Sequence, residues 1–280
     1  MEIFGLMIVG ILAGILGSIL GLGGGILVTP ILVIGFNLPI HYAIPISIIA
    51  VIGTSTGSSI AYLKDDLLNV RIAMFLEIFT SIGALVGAVL TGIFAPQYLN
   101  FFFGALLVYQ GYNMYQKIRG GKADQLAPAN DKIANYLRLD STYYDQKEQK
   151  EIHYYVENVP LGSAIMFGAG FASGLLGIGS GSFKVFALDS AMKMPLKASS
   201  ATSNFMMGVT AAASALIYFF QGMIKFEIVV PIVIGIIVGS TLGAKIMPKL
   251  NNKVIRIIFI PVVLLTGLQL VLKAFGITLY

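Results

Sequence analysis

The stretch "GLGGG", residues 21–25, interrupts a charge-free apolar run from Ile3 to Phe36 with four glycines in five positions. Each glycine disfavours a helix by about 1 kcal/mol relative to alanine. Read as one helix, Ile3–Phe36 crosses a bilayer once. Read as broken at the glycines, it is a crossing segment followed by a short return. That choice sets the topology of everything downstream.

A bilayer is the expected solvent. The chain has 280 residues, 57% of them hydrophobic and 11% charged, with a mean hydropathy of +0.87. A soluble domain cannot hide that much apolar surface, whereas long charge-poor stretches suit helices of about 20 apolar residues. The opening "MEIFGLMIVG" carries an acid where a signal peptide needs Lys or Arg, so it reads as a first membrane segment rather than a removed leader. The absence of cysteine excludes disulfides, thiol catalysis and cysteine-ligated metals. The net charge of +5 does not point to nucleic acid, because residues 117–157 hold seven basic and seven acidic side chains that cancel. The excess sits in short loops, where it orients a membrane protein.

Apolar segments fall at 3–20, 25–36, 40–63, 71–94 and 98–118, and again at 160–176, 181–191, 195–220, 226–247 and 254–275. The two sets align without a gap at an offset of 156: Gly14 with Gly170, Gly21 with Gly177, Gly25 with Gly181, Pro39 with Pro195, Ser47 with Ser203, Thr54 with Thr210, and Gly83 with Gly239. This is an internal duplication. It divides the chain into a membrane repeat at 1–118, a polar linker at 119–159 and a second repeat at 160–280. If the chain reverses at the glycines, each repeat has five segments and the second is inverted. With the linker in the cytoplasm, that reading keeps Lys64, Arg71, Lys193, Lys197, Lys245, Lys249, Lys253 and Arg256 inside and only Lys225 and Lys273 outside. A four-segment, parallel reading exports six of those residues. The positive-inside rule therefore selects inverted repeats, with both termini outside. The expected fold is an all-α polytopic membrane protein with short broken half-helices. Within the linker, "STYYD" and "EIHYYVENV" flank "QKEQK" as a β-hairpin, and "NDKIANYLRL" reads as a short helix capped by Asn130 or Asp131.

The second segment of each repeat is too short to span, since 12 residues rise about 18 Å against a hydrocarbon core of about 30 Å. It must begin near mid-depth, with a glycine cluster at its N-terminus. Free amides and the positive end of a helix dipole at such a break form an anion site, and inverted repeats can bring two of them together. Gly23, Gly24, Gly25, Gly179, Ser180 and Gly181 are the expected ligands. Close helix packing is the plainer role for the same glycines. Lys184, three residues beyond Gly181 in an apolar run, is a candidate cation; the alternative is a side chain snorkelling to the interface. Its counterpart in the first repeat is Val28. Thr54, Ser203 and Asn204 supply donors from the third segments, although hydroxyls often satisfy their own helix instead. Glu77, read as the one acid well inside a spanning segment, is a proton-coupling candidate, or else it reaches the interface. His41 and His153 have no partner pattern for a metal or a nucleophile, so neither metal nor cofactor is expected.

"GLGGGILVTPIL" with "NLPIHYAIPIS", and "GLLGIGSGSFKV" with "PLKASSATSNFMMGVT", resemble the TauE/SafE family of sulfite-exporter-like membrane proteins over both membrane halves. Ser180 stands where the family's second motif usually has the middle glycine, and adds a hydroxyl donor. The resemblance implies the glycine motifs as the functional core and small organosulfur anions as substrates.

The function expected is a secondary transporter in the cell membrane that moves a small anion, sulfite or a sulfonate, by alternating access, with a proton as the possible coupling ion. An anion channel and a non-transport assembly protein are the alternatives. An enzyme would need paired carboxylates, a metal cluster or a base with a nucleophile at depth, and the membrane halves offer none of these. No Walker-type phosphate loop is present.

Overall fold

The computed structural model describes residues 2–89, 96–119, 131–176 and 180–276. It is mostly helical. The first copy gives α1 (Glu2–Leu20), α2 (Gly25–Pro30), α3 (Ile40–Lys64), α4 (Val70–Val89) and α5 (Pro96–Arg119). The linker contributes α6 (Lys132–Leu137) and a two-stranded hairpin of β1 (Ser141–Asp145) and β2 (Lys150–Tyr154). The second copy gives α7 (Val159–Leu176), α8 (Gly181–Phe186), α9 (Leu196–Phe220), α10 (Phe226–Ile246) and α11 (Asn252–Ala274).

The offset of 156 recurs in the boundaries. α2 and α8 are each six residues and each run into a five-residue π-helical turn, Ile31–Gly35 and Ala187–Ala191. α3 and α9 start and stop at equivalent residues, and the left-handed residues Asn37 and Asp66 recur as Lys193 and Gly222. Equivalent sequence therefore yields equivalent short helices, π turns and left-handed turns.

Among the described residues, six helices are long and apolar enough to cross a membrane: the stretches Ile3–Leu20, Tyr42–Lys64, Val70–Gly87, Leu196–Phe220, Phe226–Lys249 and Asn252–Ala274. α7 offers a shorter apolar stretch, Val159–Ser173. α5 has 24 residues, but Gln97, Asn100, Gln110, Asn113 and Gln116 make it more polar than the others.

The described chain forms two compact units, and each draws on both copies. One comprises Met1–Met74, Thr142–Ile152 and Lys197–Lys249; the other comprises Phe75–Ser141, His153–Leu196 and Leu250–Tyr280. In the first unit α1 packs on α10 through glycines. A Cβ on Gly14 would lie 2.6 Å from the Ile236 carbonyl oxygen, and one on Gly239 would overlap that of Ile11. In the second unit α7 packs on α4 at the equivalent positions, where Gly170 meets the Thr80 carbonyl and Gly83 that of Phe167. Small residues let helix backbones approach closely where no water is available to drive association.

The apolar core of the first unit gathers Leu6, Ala13, Val28, Leu32, Ile46, Ile232 and Ile236 from α1, α2 with its π turn, α3 and α10. In the linker, the Asp131 side chain caps α6 by accepting from the Ile133 and Ala134 amides at 2.9 and 3.2 Å. Asp145 shapes the hairpin turn by accepting from the amides of Lys147 and Glu148. The hairpin and the capped helix fall where the local sequence placed them.

Candidate functional site: a glycine break and a buried lysine

The glycine break is real. α1 ends at Leu20 and α2 begins at Gly25, with Gly21, Gly23 and Gly24 at φ of 72°, 70° and 71°. Only glycine adopts that backbone region without strain. The chain then doubles back along α1. A Cβ on Gly24 would lie 2.9 Å from the Ala13 carbonyl oxygen, and one on Gly17 would overlap the Gly24 amide. The packing role weighed for these glycines is thus present at Gly17 and Gly24.

A helix that ends inside an apolar unit leaves its last carbonyls without partners. Side chains from α3 and α9 satisfy them. The Tyr62 hydroxyl and the Asn204 amide donate to the Ser18 carbonyl at 2.9 and 2.7 Å. Ser200 donates to Leu20 at 3.4 Å and Ser203 to Gly21 at 2.9 Å. Across the break, Ser47 donates to the Gly25 carbonyl at 3.0 Å. Thr54 donates to Ala50 in its own helix at 3.1 Å, and its hydroxyl oxygen would lie 3.2 Å from a Cβ on Gly24. The first unit therefore brings Gly23, Gly24, Gly25, Thr54, Ser203 and Asn204 around one turn. A hydroxyl has a single proton to give, and those of Thr54 and Ser203 go to main-chain carbonyls. At the opening of α2, Leu27 and Val28 both donate to Gly24; Gly25 and Ile26 precede these first intrahelical bonds. The Asn204 side-chain oxygen is buried with no hydrogen-bond partner.

In the second unit, Ser180 precedes Gly181 as the cap of α8 and accepts the Lys184 amide through its carbonyl at 3.0 Å. Gly179 lies outside the described residues. Lys184 does not snorkel. Its side chain is 0% exposed, and its ammonium lies 3.0 Å from Oε2 of Glu77, itself only 8% exposed. Glu77 is accordingly buried within the protein.

Two further ion pairs are buried. Asp189, in the π turn after α8, accepts from both terminal nitrogens of Arg256 on α11 at 2.9 and 3.1 Å. Glu77 is therefore not the one acid within the apolar segments, because Asp189 in the stretch 181–191 is equally buried. Lys197 at the start of α9 binds both oxygens of Asp145 on the hairpin, each at 2.9 Å, and the Pro248 carbonyl at 3.0 Å. An acid in an otherwise apolar run was the available signal for the first pair. Nothing local marks the second.

An open hollow in the second unit is lined by Phe75, Phe79, Val159, Pro160 and Phe167 with Ser163. It carries no charge and offers an anion little. Among the described residues, no three His, Asp or Glu side chains cluster closely enough to hold a metal.

Comparison with known proteins agrees with the apolar helices in pointing to a membrane protein. The profile of the family described as Sulfite exporter TauE/SafE matches residues 6–270. The chain is 28% identical over 273 residues to the probable membrane transporter protein YunE of Bacillus subtilis, covering 95% of this chain and 96% of that one. It is 22% identical over 227 residues to the probable membrane transporter protein YdhB of the same organism, covering 81% and 83%. No solved structure matches the chain. A profile match spanning both repeats makes this integral membrane protein a member of the TauE/SafE family.

Proposed function

We infer that the chain is a secondary transporter that carries a small, sulfur-containing oxyanion across the cell membrane by alternating access, with inverted repeats, the linker in the cytoplasm and both termini outside. The glycine breaks, with Gly23, Gly24, Gly25, Gly179, Ser180 and Gly181, belong to its binding machinery. Lys184 supplies the cation and Glu77 the coupling acid. Ser203 and Asn204 hold the first break in shape by donating to its carbonyls, and Thr54 packs beside Gly24.

The observation that carries this reading is Lys184, an ammonium with no exposed surface on a six-residue helix inside an apolar unit. A lysine at depth costs about 2.5–3.5 kcal/mol on insertion scales, and ionisable groups there mark ion and substrate paths. The family description supports a sulfur oxyanion as the guest. The loop charges support the inverted arrangement.

Counterflow in proteoliposomes tests the proposal. Purified protein should exchange internal unlabelled sulfite for external labelled sulfite with saturation, and a sulfonate should compete. Absence of any saturable exchange with sulfite or a sulfonate would refute it.

A further inference from the structure

We propose that the Lys184–Glu77 ion pair is a proton-operated latch, in which Lys184 accepts the anion only when Glu77 accepts a proton, so that the two cross together. This rests on the anion-transport reading and adds to it the coupling rule.

The internal duplication supplies a control that single structures lack. The position equivalent to Lys184 in the other copy is Val28, and that equivalent to Glu77 is Val233. They lie on α2 and α10, whose starts match those of α8 and α4. In the first unit, Val28 is fully buried, and Val233 packs against the same apolar cluster, with Leu32, Ile232 and Ile236. Two valines therefore satisfy the same backbone frame. Replacing a buried ion pair by well-packed apolar residues is often neutral or stabilising. The second unit carries the pair although its fold has an apolar solution to hand, so the pair is placed for its chemistry.

That chemistry is competition for one ammonium. A carboxylate and an oxyanion are both acceptors, and each makes its strong hydrogen bonds to a charged donor. While Glu77 is ionised it neutralises Lys184, and the pair as a whole does not attract an anion. A proton taken by Glu77 from the side of entry removes the competitor and leaves one positive charge for the guest. On the far side the anion leaves Lys184, Glu77 releases its proton to water, and the pair re-forms. For a monovalent anion the cycle moves no net charge.

Asp189 is held by both arms of Arg256. α7 contains no titratable side chain, and α5 presents Tyr109 edge-on to Phe186 of α8. The other charge on α4 is Arg71, in its first turn.

The test uses the full chain in proteoliposomes with labelled sulfite, and protein-free vesicles to subtract passive leak. Wild type should accumulate sulfite along an imposed proton gradient, up to about tenfold per pH unit at one-to-one coupling. Glu77→Gln should still exchange sulfite, at a reduced rate, but accumulate none. The double variant Lys184→Val/Glu77→Val, which copies the other repeat, should unfold no earlier than wild type and exchange no sulfite; it decides the matter if Glu77→Gln does not fold. Gradient-driven accumulation by Glu77→Gln would overturn the latch alone, whereas wild-type exchange by the double valine variant would overturn the latch and the role of Lys184 as the cation while leaving saturable transport standing. A wild type without saturable exchange would overturn the transport reading and the latch with it.

Discussion

Lys197 places its ammonium 2.9 Å from both carboxylate oxygens of Asp145, so the hairpin of the linker is tied to the first residues of α9 by a buried, two-point ion pair. Both side chains are almost without exposure, and the Pro248 carbonyl takes a third bond from the same nitrogen. Removing one member of such a pair leaves a buried charge uncompensated and costs about 3–5 kcal/mol. Lys197→Met or Asp145→Leu should therefore loosen the hairpin, letting the strand ends around the exposed Lys147 and Lys150 unfold into a protease site. Limited proteolysis in detergent should show cleavage there faster by about tenfold or more, since 1.4 kcal/mol is already a factor of ten. The double variant should recover part of the loss. Unchanged cleavage in both single variants would show that the pair does not hold the hairpin.

The glycine turn makes a sharper prediction because the structure supplies its own control. A methyl group on Gly17 would overlap the Gly24 backbone, and Gly24→Ala would add a strained φ of 71° to contact with Ala13. Neither obstacle is the flexible end of a side chain. By contrast, a Cβ on Gly168, in the middle of α7, meets nothing within 4 Å. Gly17→Ala and Gly24→Ala should each lower thermal stability in detergent, with a loss of about 1–3 kcal/mol as for other forced overpacking. Gly168→Ala should be neutral or raise stability by up to about 1 kcal/mol, as helix propensity alone requires. Equal behaviour of the three variants would mean that the turn at 21–24 can relax.

The break, the duplication and the hairpin were legible because each rests on local or periodic signals. Glycines at 21–25 cannot continue a helix cheaply, a gapless offset reports equivalent structure, and β-prone runs flank a charged turn. The ion pairs were not legible, because partners such as Glu77 and Lys184 lie 107 residues apart and their meeting depends on how helices of the two copies associate. Ser203 and Asn204 illustrate a second limit. Their sequence positions advertise donors, but only the three-dimensional ledger of unsatisfied carbonyls at Ser18, Leu20 and Gly21 shows where those donors point.

Asp131 gives the linker a pH dependence of definite sign. Partial burial pushes its carboxyl up, but hydrogen bonds from the amides of Val159, Ala134, Ile133 and Asn158 outweigh that and hold it below the usual carboxylate range. Its stabilising contribution is therefore complete above the ordinary carboxylate pKa, about 4, and is lost as pH falls through the lowered value. In hydrogen exchange corrected for intrinsic rates, the amides of α6 should keep their protection to pH 4 and lose it on further acidification. Asp131→Asn should keep the cap, since asparagine ranks with aspartate there, and flatten that pH dependence. Asp131→Ala should cost about 1 kcal/mol, or roughly fivefold in local protection. Identical acid profiles for wild type and Asp131→Asn would remove Asp131 as the cause.

The topology proposed for the repeats can be read out directly, because the chain contains no cysteine and any introduced thiol is the only one. Glu148 in the hairpin turn, Gln221 after α9 and Lys249 after α10 are all exposed. Inverted repeats put Glu148 and Lys249 on the cytoplasmic side and Gln221 outside. Parallel repeats would put Lys249 outside with the other basic residues of its copy, against the positive-inside rule. On intact cells, a membrane-impermeant maleimide should label Gln221→Cys at once, and should label Glu148→Cys and Lys249→Cys only after permeabilisation. Labelling of Lys249→Cys in intact cells would reverse the second repeat, and would leave the two lysine-rich ends of α9 and α10 facing the wrong side of the bilayer.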